Sequence, residues 1–372
     1  MREEDLKRLE DPYPAENEFE TAFARALGAD CGKMHKLANT IADDLDPVTF
    51  GIGWWESGSL DLHRRILIGD YLVTVGRAVQ TNLVEARLHL LEAEDAWSKL
   101  SGNVRTSLRT TGTAVNKPAS PADELLFYMG PLHAAGAIRA LASAMDCLAG
   151  VIIGVAGLPT NIVKADWSHI SKSSLKSTTA ALSAQYSMIS SAIDAVDAAG
   201  PPGWLDWLLG MRNMLVHRGR RLVTYNIRPL GGGVLTVAVQ SPVEALIAEY
   251  LLPNDPQSTD ADVWRLLGPD QCLLTERAGL TIAGCVRSVK LVVESVAEAA
   301  SVLWQQRKLS PTFINQPEKQ WPLVASMAAA SFNGYSPGAS PVAAGAIETG
   351  PESVDRLIAA GVTAKDRGTV WP

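Results

Sequence analysis

GMRNMLVHRGRR, residues 210–221, places an Arg, an Asn, a His and three further Arg within twelve residues of an alanine-rich, acidic chain. Leu205, Leu208, Leu209, Met211, Leu215 and Val216 recur around it at helical spacing and predict an inward face. Asp206, Gly210, Asn213, His217 and Arg220 or Arg221 follow one another at steps of three and four, which predicts a polar stripe on the same helix. Arg212 lies about 100° around the helix from Asn213, and its long side chain is able to swing back toward the stripe. The breaker AGPPG (199–203) precedes this segment, so the helix is predicted to start near Trp204.

The flanking segments share the helical period. From about 59 to 101, Leu72, Val75, Val79, Leu83, Ala86, Leu90, Ala93, Trp97 and Leu100 mark one face of a long helix. A basic loop is expected over GNVRTSLRTTGTAVNKPASP (102–121). The next helix, from about 121, shows Ala134, Ile138, Leu141, Met145, Leu148 and Ile152, and a third, over 171–199, shows Leu182, Tyr186, Ile189, Ile193 and Val196. After Arg221 the period changes: LVTYNIR and VLTVAV flank PLGGG and predict a small β-hairpin near 222–239. A second long helix is expected over 270–306, with Ile282, Val286, Val289, Val293, Val296, Ala300 and Leu303 as its seam. The expected fold class is therefore mainly α: an antiparallel helical bundle over 59–307 with that hairpin inside it. Residues 1–58 form a helical or irregular N-terminal segment, and 308–372 an irregular tail rich in Gly, Pro and Ala, where only ESVDRLIAAGV looks helical.

Composition narrows the classes. A chain of 372 residues with 47% apolar content has ample core for one large or two medium domains. A net charge of −7 argues against coating nucleic acid through the overall field, although a local basic patch needs only neighbouring cations. Cys31, Cys147, Cys272 and Cys285 are scattered without a C-x-x-C pair, and read as buried thiols of a reducing compartment. The start, MREEDLKRLEDPYPAE, has no apolar h-region, and the run CLAGVIIGVAGL (147–158) is too short to cross a bilayer. That run reads as a buried helix end stopped by Gly157 and Pro159. The expectation is a soluble cytoplasmic protein with no membrane contact, no metal site and no cofactor.

Arg212, Asn213 and His217 on one turn suit a particular chemistry. RNA is cleaved without metal when a base takes the 2′-hydroxyl proton, an acid protonates the leaving 5′-oxygen, and a cation stabilises charge on phosphorus. Histidine titrates in the right range for proton transfer. Arginine offers a planar, permanent cation for phosphate oxygens, and Asn orients the imidazole or the phosphate. With one such His per chain, a homodimer is needed to supply both acid and base. A plainer reading is a solvated helix face whose terminal His and Arg answer the helix dipole. That accounts for Arg218, Arg220 and Arg221, but does not require the upstream Arg-Asn pair.

RNMLVH (212–217) resembles the R-x4-6-H motif of the HEPN (higher eukaryotes and prokaryotes nucleotide-binding) superfamily, including the polar residue after the Arg. The resemblance is specific over these six residues, and its helical setting covers roughly 120–225. It implies a small helical domain that dimerises, with the motif near the end of the last bundle helix. It further implies a metal-independent endoribonuclease whose active-site residues are Arg212, Asn213 and His217, lining a cleft between protomers. Toxin-like or antiphage defence effectors of this kind are held in check by another component, here a separate antitoxin or regulatory chain. Arg218, Arg220 and Arg221 are the candidate RNA-binding residues, since residues 210–228 carry five Arg and no acid. The competing expectation is a non-catalytic HEPN-like binding or assembly module.

Other candidates have plainer readings beside sharper ones. Arg105, Arg109 and Lys117 either extend an RNA path or are solvated. Trp54, Trp55, Trp204 and Trp207 stack on bases or, as expected for a helix-start Trp, anchor in the core. His133 and His169 lack metal-ligand spacing and read as satisfied or exposed. Asp43, Asp44 and Asp46 form an acidic turn before Pro47 rather than a cation site, and Gly231–Gly233 form a hairpin turn rather than a phosphate loop.

Overall fold

The computed structural model describes residues 32–45, 62–111, 120–158, 160, 162, 165–171, 180–217, 222–227, 234–239, 278–310, 313–314 and 335. Seven helices lie within them: α1 (Gly32–Leu45), α2 (Leu62–Thr111), α3 (Pro121–Ala156), α4 (Trp167–Ser171), α5 (Ala180–Ala199), α6 (Trp204–His217) and α7 (Ala278–Leu309). The protein is mainly α. Its residues group into two compact units. The motif unit takes in the described residues of 82–143 and 196–290; the companion unit takes in those of 30–81, 144–195 and 291–372.

The predicted seams are the buried faces. On α7, Ile282, Val286, Val289, Val293, Val296, Ala300 and Leu303 are all buried, and so are Leu72, Val75, Val79, Leu83, Ala86, Leu90, Ala93 and Trp97 on α2. Ala134, Ile138, Leu141, Met145, Leu148 and Ile152 of α3 follow the same rule. Each unit pairs α2 with α3 in antiparallel sense: Trp97 lies against Gly130 and His89 against Gly136 in the motif unit, and Val75 against Gly150 and Leu72 against Gly154 in the companion unit.

Several expectations are corrected. The basic loop expected from 102 is helical as far as Thr111. Gly102 alone does not halt the ladder, and the hydroxyls of Thr106 and Thr110 donate back to the carbonyls of Gly102 and Thr106. On α5, Ile189 is buried as expected and Ile193 and Val196 are half-buried, but Tyr186 is exposed, and Gln185, Met188 and Ala192 are buried beside Ile189. Cys285 is buried as expected but Cys147 is only half-buried. The apolar run at 147–158 belongs to a longer helix than its length implied. Glu124–Ala156 is long and apolar enough to cross a membrane, yet 78% of its most apolar window is buried within the protein, as in a core helix. Asp44 sits in the last turn of α1 rather than in a turn, buried, accepting hydrogen bonds from Trp304 Nε1 at 2.9 Å and from Lys308 Nζ. Asp43 is exposed, and Asp46 lies outside the described residues.

Helix α3 ends in the interior of the companion unit. Its last carbonyls have no partners along their own helix and receive donors from elsewhere. Gly157, at φ 58°, adopts the left-handed conformation open to a residue without Cβ, so that Gly157 N donates to Gly154 O (3.3 Å) and Leu158 N to Ile153 O (3.0 Å). Arg307, 1% exposed, reaches from α7 and donates Nη1 to the carbonyls of Gly154 (3.1 Å) and Val155 (2.7 Å). Gln185 of α5 donates Nε2 to Ala156 O (2.8 Å) and Gly157 O (3.2 Å). Burial draws the Arg307 pKa down to about 10, which leaves it cationic at neutral pH against the negative end of the α3 dipole. Arg307→Met keeps the apolar stem and removes both donors. It is expected to destabilise the fold by about 2 kcal/mol, read as a lowered urea midpoint with an unchanged slope. An unchanged midpoint would show that these carbonyls are satisfied without the guanidinium.

Candidate functional site

Helix α6 begins where AGPPG ends, with Gly203 at φ 80° turning the chain and Trp207 N closing the first turn on Gly203 O at 2.9 Å. Trp204, Leu208, Met211 and Leu215, at steps of four, three and four, are buried together with Leu205. Leu209 is half-buried. Val216, expected to face inward, is 51% exposed, because the neighbouring Leu215 takes the inward position. Trp204 is the core anchor expected of a helix-start Trp, its Nε1 donating to Val196 O in the last turn of α5 at 3.0 Å.

The opposite side of α6 is polar and open. Asp206, Gly210 and Asn213 are exposed, and a Cβ on Gly210 would meet no atom of the described residues within 4 Å. Arg212 is half-buried beside this stripe. His217 is the last residue of the helix; its side chain is outside the described part, as are Arg218, Arg220 and Arg221 in full. Two of the three motif residues thus have described side chains, one exposed and one half-buried, on a helix whose other face is core.

Sequence reasoning missed Arg139. From α3 it donates Nη2 to Leu215 O at 3.3 Å, and so supplies a cation to the carbonyl end of the motif helix within one turn of Asn213 and His217. Its only signal is an isolated Arg in the alanine-rich run HAAGAIRALASAM (133–145). His89 was missed as well. Its Nδ1 lies 3.0 Å from Nδ1 of His133, so His133 is satisfied as expected, though by a second imidazole. His169 is exposed and bonded to Asp166 at 2.8 Å.

The other candidates are less informative. Arg105 and Arg109 lie on α2 rather than in a loop, with side chains outside the described part, while Lys117, Trp54, Trp55 and Gly231–Gly233 lie wholly outside it. Trp207 is half-buried, with its Nε1 enclosed and making no hydrogen bond among the described residues. Among the described residues no three His, Cys, Asp or Glu side chains come together in a way that would hold a metal ion. Compared with known protein families, with curated proteins and with solved structures, the chain matches none.

The open space over Gly210 leads to a specific expectation. Gly210→Ala adds a methyl that touches nothing and removes the glycine entropy penalty within a helix. It is therefore expected to stabilise the protein by about 0.5–1 kcal/mol in chemical denaturation. Destabilisation would mean that another group occupies the space beside Asn213.

Proposed function

We propose that this chain is a HEPN-type, metal-independent endoribonuclease, a toxin-like or antiphage defence effector that cuts RNA at a site shared by two copies. The observation that carries the proposal is the RNMLVH segment on the terminal turns of α6, with Asn213 exposed and Arg212 beside it on a helix anchored by its opposite face. In this reading α2, α3, α5 and α6 contribute to a HEPN-like antiparallel bundle. Leu222–Ile227 and Val234–Val239 form a hairpin after the motif helix, in the register Leu222↔Val239 to Ile227↔Val234. The proposed compartment is the cytoplasm, in keeping with four scattered cysteines that form no C-x-x-C pair.

The chemistry follows from the residue types. The 2′-oxygen attacks the adjacent phosphorus while one copy's His217 takes its proton, and the P–O5′ bond breaks as the other copy's His217 protonates the leaving oxygen. Arg212 stabilises the charge on the phosphoryl oxygens, and Asn213 orients imidazole or phosphate. Arg218, Arg220 and Arg221 hold flanking phosphates. A separate antitoxin or regulatory protein restrains the activity. His217→Ala and Arg212→Ala are expected to abolish cleavage of total RNA, by a factor of at least about 100, while wild-type cleavage persists in EDTA. Wild-type-like rates in both variants would refute this site, and cleavage lost in EDTA but restored by magnesium or manganese would refute the metal-free mechanism.

A second reading, a non-catalytic HEPN-like binding or assembly module, draws on a different observation. Leu125, Phe127, Tyr128 and Leu132 are each more than half exposed near the start of α3, and clustered exposed apolar side chains are characteristic of protein-binding surfaces. Both readings involve dimerisation, which the module would make through the polar stripe of α6, but only the nuclease requires the two His217 side chains to face one solvent-accessible cleft. Facing basic helices repel, and an anion relieves that repulsion. Sedimentation is therefore expected to show a dimer that phosphate or sulfate strengthens. An active, stable monomer would contradict the shared site.

A further inference from the structure

Two histidines of the motif unit stand apart from the α6 stripe and face each other across the α2–α3 contact. His89 Nδ1 and His133 Nδ1 are 3.0 Å apart, with ring centroids 5.2 Å apart and planes inclined at 47°. At that separation one nitrogen must donate and the other accept, so only one of the two Nδ1 atoms carries a proton. Protonating both rings would set two donors and two positive charges against each other. The His89 ring has little room to retreat along α3, since a Cβ on Gly136 would lie 2.7 Å from its Cδ2 and Nε2. The charged groups facing His89 are carboxylates of its own helix: Glu85, whose Oε1 is 3.7 Å from Nε2, and Glu92. From α3 the facing titratable group is His133.

We propose that His89 and His133 form a proton-operated clasp between α2 and α3, closed while the pair shares one N–H and opened when acidification protonates both rings. Burial chiefly, and then the neighbouring His133, lower the His89 pKa from 6.5, against a weaker upward pull from Glu85 and Glu92. A histidine whose folded pKa lies below its unfolded value stabilises the fold above the unfolded value, and that contribution is lost as pH falls through the folded pKa. The clasp is therefore intact at neutral pH and weakens below about 6.5. Arg139 follows His133 by six residues, about 9 Å along α3, and holds Leu215 O of α6, so the clasp lies close to the anchor of the motif helix.

The test uses the full chain. Carbon-13 histidine NMR is recorded over pH 5–8, with thermal melting at pH 7.5 and 5.5 for wild type, His89→Gln and His133→Gln. The two resonances that the substitutions identify as the pair are expected to titrate in coupled steps, with the step of His89 displaced below 6.5. Between the two pH values the wild-type melting temperature is expected to fall about 2–4 °C further than that of His133→Gln, whose amide bonds with His89 without titrating. Independent titration of both rings near their ordinary value overturns the clasp, as does an equal fall in melting temperature for wild type and variants. Should either variant fail to fold, the wild-type titration decides by itself, coupled displaced steps supporting the clasp and ordinary independent ones refuting it.

Discussion

An α-helix that ends in a protein interior leaves its last carbonyls without partners, and each one left bare there costs about 1–3 kcal/mol. Helix α3 meets that constraint at Ala156 with backbone donors from Gly157 and Leu158 and side-chain donors from Arg307 and Gln185. The same solution recurs in the motif unit. Trp204 Nε1 and Ser288 Oγ donate to the last turn of α5, at Val196 O and Ala199 O, and Arg139 donates to that of α6. Helix–helix packing here is set by seams of Val, Leu, Ile and Ala, which are interchangeable in outline. The polar side chains that cross between helices fix which helix end meets which neighbour. Arg307 is suited to its place because a guanidinium reaches two successive carbonyls and carries the charge that a helix C-terminus favours.

That pattern gives the candidate site its character. Trp204, Leu208, Met211 and Leu215 hold α6 from one side, and Arg139 occupies its carbonyl end. Neither demand draws on Asn213, which is left exposed, while Arg212 lies between core and stripe. A helix clamped on one face is a rigid support for groups that act on a bound phosphate, and rigidity is what proton transfer and charge stabilisation require. Structural needs account for Arg139 at the helix end. They do not account for an amide and a guanidinium placed side by side at Arg212 and Asn213, and the nuclease proposal supplies a role for both.

The fold was legible wherever a local period carried it. The seams of α2, α3 and α7 follow from steps of three and four, and Gly157 and Trp204 from local breaker and start signals. It was illegible where a distant partner decides the outcome. Tyr186 reads as a seam residue, but Gln185 must face inward to reach the end of α3, and two adjacent residues on a helix point about 100° apart. Arg307 looks like a solvated cation in QQRKL (305–309), since its acceptors lie some 150 residues earlier. At the site, the positions of Arg212 and Asn213 on α6 follow from the sequence. Arg139 and the His89–His133 pair depend on which helices adjoin, which no single segment records.

The proposed activity is transesterification by groups of the protein itself, and the ends it leaves on RNA test it most directly. Attack by the 2′-oxygen with loss of the 5′-oxygen leaves a 2′,3′-cyclic phosphate on one fragment and a 5′-hydroxyl on the other. Mass spectrometry of oligonucleotide fragments from purified wild-type protein, with the His217→Ala chain as control, is expected to find these two ends and to lose them in the control. Fragments bearing 5′-phosphate and 3′-hydroxyl ends, or cleavage that survives in the control, would contradict the account.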